Sequence, residues 1–346
     1  MKKLLLLAAA SIAACSAPAP AVTPQPAPGA AAVTIPSATP ASASAPARPA
    51  LAWTQRPKTL AMRTVIEGPL VLHADGTSSL GAAQEVVRVS DHYSACFVTR
   101  SAEVACWGVA TGGTWNGIAK RDPDAGLHDV VDVAINQTNA CAATRDGSVL
   151  CWSGDGRPRK QELPAPAREI LVSVQGRACA LLEDGTVAAA ESWKTGAWER
   201  LRQGGAPVGD VVHLLACDRT LACGERASGG AVCVSSWDAP DVRRGVREEQ
   251  QSVVRAIAGA PREMHLAMND PGTAYCAYSA TEVRCFDGKT GIAASITELT
   301  GITEVAIGWS TFGRKTIDAA GCARAAGDQV RCWDLADPRP VLIARK

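Results

Sequence analysis

The chain has almost no excess of charge: 35 Lys and Arg stand against 34 Asp and Glu, a formal +1 at pH 7. Without a basic surplus there is no electrostatic reason to expect nucleic acid as a partner. Two small basic clusters, Arg157-Pro158-Arg159-Lys160 and Arg243-Arg244-Gly245-Val246-Arg247, have Glu162, Glu248 and Glu249 beside them and read as solvated loop charge. The apolar stretch from Leu4 to Ala14 is too short to span a bilayer, which takes about 20 residues. No segment shows a long run with helical period. There is no Gly-rich phosphate loop, no nucleophile elbow and no H-E-x-x-H. His73, His92, His128, His213 and His265 are scattered, with no i,i+4 pair, and His213 in a valine-rich strand reads as a strand-face histidine. No C-x₂-C spacing with a second ligand pair suggests zinc. Neither a catalytic residue, a metal nor a cofactor is therefore expected.

What is present begins with the leader. Met1-Lys2-Lys3, the apolar stretch and Ile12-Ala13-Ala14-Cys15 match a lipoprotein signal peptide over 1–15, with Cys15 the lipidated residue. Several acyl chains, at about 0.8 kcal/mol per buried methylene, make a stable anchor. Ser16 follows the cysteine where no Asp stands, which in a Gram-negative envelope indicates the outer membrane. Losing Lys2 and Lys3 with the leader moves the formal charge from +1 to −1. Residues 16–52 are rich in Ala, Pro, Ser and Thr, with nine prolines and Arg48 the only charge. Such a segment buries too little to offset its ordering entropy and reads as a disordered tether, able to reach on the order of 100 Å. The folded part is expected over 53–346.

That part is repetitive. Ala95-Cys96…Cys106-Trp107, Ala140-Cys141…Cys151-Trp152, Tyr275-Cys276…Cys285-Phe286 and Gly321-Cys322…Cys332-Trp333 read alike. Two worn copies are Ala178-Cys179…Val187, with Ala189 where a second cysteine is due, and Ala222-Cys223…Cys233. Successive first cysteines are 45, 38, 44, 53 and 46 residues apart, the size of a four-stranded propeller blade. Upstream lie β-branched strands: Val86–Val89, Val130–Val133, Val211–Leu214, Val253–Ala256 and Ile302–Val305. The fold is expected to be all-β.

The hairpins can be derived. Cys141 and Cys151 are symmetric about Asp146, so a three-residue loop, Arg145-Asp146-Gly147, joins their strands. Such loops favour Gly in the left-handed region at the third position, where Gly147, Gly185 and Gly229 stand. The two cysteines then face each other at about 4.5 Å between Cα atoms, within disulfide reach. The same arithmetic pairs Cys96 with Cys106, Cys223 with Cys233 and Cys322 with Cys332, and a two-residue loop, Ala280-Thr281, pairs Cys276 with Cys285. Of 13 cysteines, Cys179 and Cys217 are left over and are candidates to pair with each other. An oxidising compartment agrees with disulfides; the rival is reduced core cysteine. Each bridge closes a small loop, so pinning register outweighs its effect on stability.

The pattern resembles the bacterial form of RCC1 (regulator of chromosome condensation) repeats, V-V-x-V…C-A-L…D-G-x-V-x-C-W-G, over most of 85–336. The copy from Cys141 to Trp152 matches it best. The resemblance implies a propeller, seven-bladed, with six clear repeats, a further blade beginning within 59–84, and Val341-Leu342-Ile343 as its closing strand. The family's His two residues before the first cysteine is replaced by Ser94, Asn139, Arg177, Leu221, Ala274 and Ala320, and the G-Q-L-G after the tryptophan is missing. Guanine-nucleotide exchange, which the founder performs inside the nucleus, is not expected of an exported lipoprotein. Asp155, Asp287 and Asp334 read as turn residues.

The expectation is an envelope-anchored, monomeric binding or scaffold module for an unidentified envelope or extracellular protein or glycan. Its candidate contact residues are Trp115, Trp198, Arg243, Arg244 and His265, in irregular inter-blade stretches, although core packing suits Trp198 equally. The alternatives are a lyase or hydrolase with a site at the central channel, and an enzyme inhibitor, since a secreted β-lactamase inhibitor uses this type of propeller.

Overall fold

The computed structural model describes residues 60–61, 70–71, 86–91, 94–99, 102, 104–108, 127–136, 139–153, 157–173, 176–218, 220–235, 248–269, 272–310, 318–335 and 337–342. All lie in one compact unit, Arg48–Lys346. The leader, Cys15 and the 16–52 tether fall outside the described residues.

Strands are short and antiparallel, and each sheet runs as a meander. β1 (Leu60–Ala61) pairs with β2 (Leu70–Val71). Blade 1 is β3 (Val86–Asp91), β4 (Ser94–Thr99) and β5 (Val104–Gly108). Blade 2 is β6 (Val130–Asn136), β7 (Asn139–Thr144), β8 (Val149–Ser153) and β9 (Arg159–Gln161). Blade 3 is β10 (Ala167–Val172), β11 (Ala178–Leu182), β12 (Val187–Ala190) and β13 (Glu199–Arg200), followed by the hairpin β14 (Arg202–Gln203) and β15 (Ala206–Pro207). Blade 4 is β16 (Val211–Cys217), β17 (Leu221–Arg226) and β18 (Ala231–Ser235). A helix, α1 (Glu248–Ile257), precedes blade 5: β19 (His265–Met268), β20 (Ala274–Tyr278), β21 (Val283–Asp287) and β22 (Ala293–Ile296). Blade 6 is β23 (Glu304–Ser310), β24 (Asp318–Ala325), β25 (Gln329–Asp334) and β26 (Asp337–Leu342).

The first strand of each blade packs on the first strand of the next: β3 on β6, β6 on β10, β10 on β16, β16 on β19 and β19 on β23. β1 touches both β23 and β3, linking the last blade to the first. Sheets arranged radially approach each other most closely near the axis, so the first strands are the inner ones. The apolar core is accordingly divided among the seams. Ile170, Leu182 and Trp198 meet Cys141 and Val149 between blades 2 and 3, and Leu299, Ile302 and Trp333 fill the seam between blades 5 and 6. Ile170 and Leu182 are fully buried, each contributing about 1.5–3 kcal/mol.

The hairpin loops fall where their turn residues indicate. Thr144 N donates to Ser148 O across the loop 145–147, and Ser279 N to Glu282 O across 280–281. Gly147, Gly185 and Gly229 have φ of 78°, 77° and 86°. At Gly147 a side chain would also collide with Pro166 of the next blade.

Several expectations are corrected. Val253–Ala256 is helix, because Gln250, Val253 and Ile257 recur at helical spacing on one buried face. Glu248 and Glu249 in the first turn and Arg255 in the last suit the helix dipole. Gly288 of blade 5 lets α1 approach, since a Cβ there would overlap the Glu249 carbonyl. The inner strand of blade 5 is instead β19. Strand β23 starts at Glu304 rather than Ile302, and the inner strand β10 had no valine-rich signature to reveal it. Arg159 and Lys160 are exposed on the outer strand β9, not in a loop; charge on an outer edge discourages pairing with other chains. Val341 and Leu342 pair with Cys332 and Arg331 inside blade 6, the nearest strand in sequence, rather than closing another blade.

Candidate functional site

The inner strands carry a polar series built from the third position of the V-V-x-V run. In β6 the pairing passes from Val130↔Thr144 to Asp132↔Ala143, so Val131 is the extra residue of a bulge. The same shift occurs at Val86/Arg88, Ala167/Glu169 and Val211/His213. A bulge re-aims the residue beside it. Asp132, with no exposure, accepts a hydrogen bond through Oδ2 from Ile170 N of blade 3 at 2.9 Å. Glu169, one blade on, accepts from Leu214 N of blade 4 at 3.2 Å and lies 3.5 Å from His213 Nδ1. An inner strand has no sheet partner on its axial side, and these carboxylates take its N–H groups instead. His213 is buried on its strand face, as expected.

A second polar group sits at the turns joining inner and second strands. Arg177 is 1% exposed; its backbone closes a turn on Ser173, and its Nη1 donates to Asp218 O of blade 4 at 2.9 Å. Burial lowers the guanidinium to about 10, opposed by Asp218 and Glu191, so it stays charged at neutral pH. Gln250 of α1 donates through Nε2 to Asp218 Oδ2 at 3.0 Å and accepts from Thr220 Oγ1 at 2.9 Å. Arg177 occupies one of the positions where the resembled family has His. Nothing in the sequence pointed to Gln250.

Disulfides join Cys141 to Cys151, Cys223 to Cys233, Cys276 to Cys285 and Cys322 to Cys332, with Cα separations of 4.1, 4.1, 3.9 and 4.0 Å. Cys96 is disulfide-bonded and stands opposite Cys106 in the β4–β5 register. Cys179 and Cys217 are also bonded, at 5.9 Å between Cα atoms, and this bridge runs between blades 3 and 4. Disulfides in this number fit an oxidising, exported environment.

The contact candidates fare unevenly. Trp198 is 8% exposed, belongs to the core cluster between blades 2 and 3 and donates from Nε1 to Gln161 Oε1 at 3.2 Å, so it is core rather than surface. Its indole body fills the seam while its N–H finds an acceptor on β9. His265 opens β19 rather than lying in an irregular insertion. Its side chain is 42% exposed, its Nδ1 is 3.3 Å from the buried Glu225 Oε1 of blade 4, and its ring lies 5.6 Å from that of Tyr278. Trp115, Arg243 and Arg244 lie outside the described residues, as does Asp155. Asp287 and Asp334, expected as turn residues, are instead the last residues of β21 and β25, and Asp287 caps the turn that follows, its Oδ1 accepting from Lys289 N at 2.8 Å. Among the described residues no three His, Cys, Asp or Glu side chains gather as a metal site, and no helix is long and apolar enough to cross a membrane.

No family model matches the chain, and no curated protein matches it. Solved structures do. Prp20p from Saccharomyces cerevisiae, described with its binding to Gsp1p and histones, is similar over 75% of this chain and 77% of its own, at 12% identity and a TM-score of 0.51. Human WBSCR16 is similar over 64% of this chain and 70% of its own, at 16% identity and a TM-score of 0.45. The fold is an RCC1-like propeller. At such identities the likeness concerns architecture alone.

Proposed function

We propose that this protein is an exported lipoprotein, anchored by lipid on Cys15 and carried on the 16–52 tether. Its propeller serves as a binding or scaffold module for an envelope or extracellular protein or glycan, without guanine-nucleotide exchange activity. The ring is taken as seven-bladed, with β1 and β2 belonging to the seventh blade. One observation carries the reading: ionisable groups of the inner strands and turns, Asp132, Glu169 and Arg177, each bond a neighbouring blade. That use favours a rigid disc that displays loops, and cross-strand disulfides reinforce it. Trp115, Arg243 and Arg244 are the contact residues proposed on it.

The test is crosslinking in intact envelopes followed by affinity capture. A discrete partner should be recovered with the wild-type chain and lost with Trp115→Ala or Arg243→Ala/Arg244→Ala. Globomycin-sensitive acyl labelling, abolished by Cys15→Ala, reports the anchor separately. Recovery of no partner, together with turnover of a screened glycan or ester substrate, would replace the binding reading with the enzymatic one.

A further inference from the structure

Among the described blades, blade 3 alone has a first cysteine in its second strand and no second cysteine opposite. Cys179 faces Ala189 in the β11–β12 register. Its sulfur instead crosses the seam to Cys217, the last residue of β16, 38 positions away. The other four fully described disulfides stay within one hairpin, at separations of 9 or 10 residues. Cys179–Cys217 is thus the one described covalent link around the ring.

Its surroundings are as informative as its direction. Two residues before Cys179, Arg177 donates across the same seam to the carbonyl of Asp218. Asp218 directly follows Cys217, and its carboxylate accepts from Gln250 of α1. Thr220, on the same turn, donates to the Gln250 side-chain oxygen Oε1. Gln250 is fully buried, and α1 otherwise rests on blade 5 through Val253 and Ile257. The bridge, the Asp218 turn and the helix therefore form one continuous chain of contacts across three successive blades.

We propose that Cys179–Cys217 is a redox-sensitive latch that holds the Asp218 turn in place and thereby keeps α1 docked. A dithiol reductant supplies two electrons and two protons. The S–S bond breaks, Cys179 and Cys217 become thiols, and the reductant closes to its own disulfide. The seam between blades 3 and 4 then keeps its apolar packing and hydrogen bonds but no covalent tie, the Asp218 turn loosens, and α1 loses the acceptor and donor that hold Gln250. Both cysteines are at most 3% exposed, so the latch yields to reductant only when this seam opens.

The experiment is amide hydrogen exchange on the full chain. It compares wild type, Cys179→Ala/Cys217→Ala, Cys141→Ala/Cys151→Ala and Gln250→Ala. Removing the latch should speed exchange about tenfold or more in 211–221 and 248–257, while 274–287 and 320–334 keep their rates. Removing the hairpin bridge of blade 2, which lies in a different apolar cluster from α1, should leave 248–257 unchanged. Gln250→Ala should release 248–257 with the disulfide intact, which tests the helix anchor by itself. If the latch variant does not fold, wild type is reduced in graded dithiothreitol, and loss of protection at 248–257 is followed against thiol labelling of Cys179 and Cys217. Unchanged exchange at 248–257 once those two are thiols, or uniform loosening of all blades, overturns the proposal.

Discussion

Asp132 offers a sharp test of how neighbouring blades are held. Its carboxylate has no exposure and receives the Ile170 N–H at 2.9 Å, while Ile170 is itself fully buried. Asp132→Ala strands that N–H where water does not reach, and an unsatisfied buried donor costs about 1–3 kcal/mol. A hydrogen bond to a charged group lies near the top of such a range, so a loss of about 2–3 kcal/mol is expected for Ala. Asp132→Asn keeps an oxygen at the same place and forfeits only charge, for a loss of about 1 kcal/mol. Urea unfolding at pH 7 with disulfides intact ranks the three proteins, and amide exchange at Ile170 localises the effect. The reasoning fails if Ala costs under about 0.5 kcal/mol, or if Asn is as damaging as Ala. Either result would mean that the Ile170 N–H finds another acceptor and that the bulge at Val131 serves something else.

Three further outcomes follow from single positions. Ala102 has φ 61° at the hairpin position where blades 2, 3 and 4 have glycine, so Ala102→Gly should raise the unfolding free energy by about 0.5–1 kcal/mol, read from the urea midpoint; a drop would deny strain there. Gly321 lies under the Trp333 indole, with a Cβ placed 2.5–2.8 Å from three of its atoms, so Gly321→Ala should cost about 1–3 kcal/mol and shift tryptophan emission. Asp146 is held at about 2, below its ordinary 3.8, chiefly by the Thr144 hydroxyl and then by Ser148. Its stabilising effect is therefore present above 3.8 and lost as pH falls through about 2. Asp146→Asn should flatten stability between those values in an acid titration by circular dichroism, and an unchanged acid limb would count against the loop bonds.

Much of the fold was legible because its defining features are local. The three-residue loop around Asp146 and the left-handed glycine at 147 set the register that brings Cys141 opposite Cys151. No distant contact is needed for that. The inner strand β10 was not legible, since Ala167-Arg168-Glu169-Ile170 lacks the valine run, and α1 was too short for its period to stand out. Trp198 could be weighed as surface or core from sequence, but only the neighbouring Gln161 decides it.

Along the chain, then, turn chemistry and the alternation of strands determined the hairpins, their cross-strand disulfides and the repeating blade. Tertiary structure alone decided most of what crosses from blade to blade: Asp132 to Ile170, Glu169 to Leu214, Arg177 to Asp218 and Trp198 to Gln161; Cys179 and Cys217 were candidates by elimination, and only the fold set them across a seam. Those partners are 38, 45, 41, 37 and 38 residues apart, about one repeat. The physical reason is that a hairpin's register follows from its own few torsions. Which atoms meet across a seam depends on how two finished sheets are twisted and set side by side.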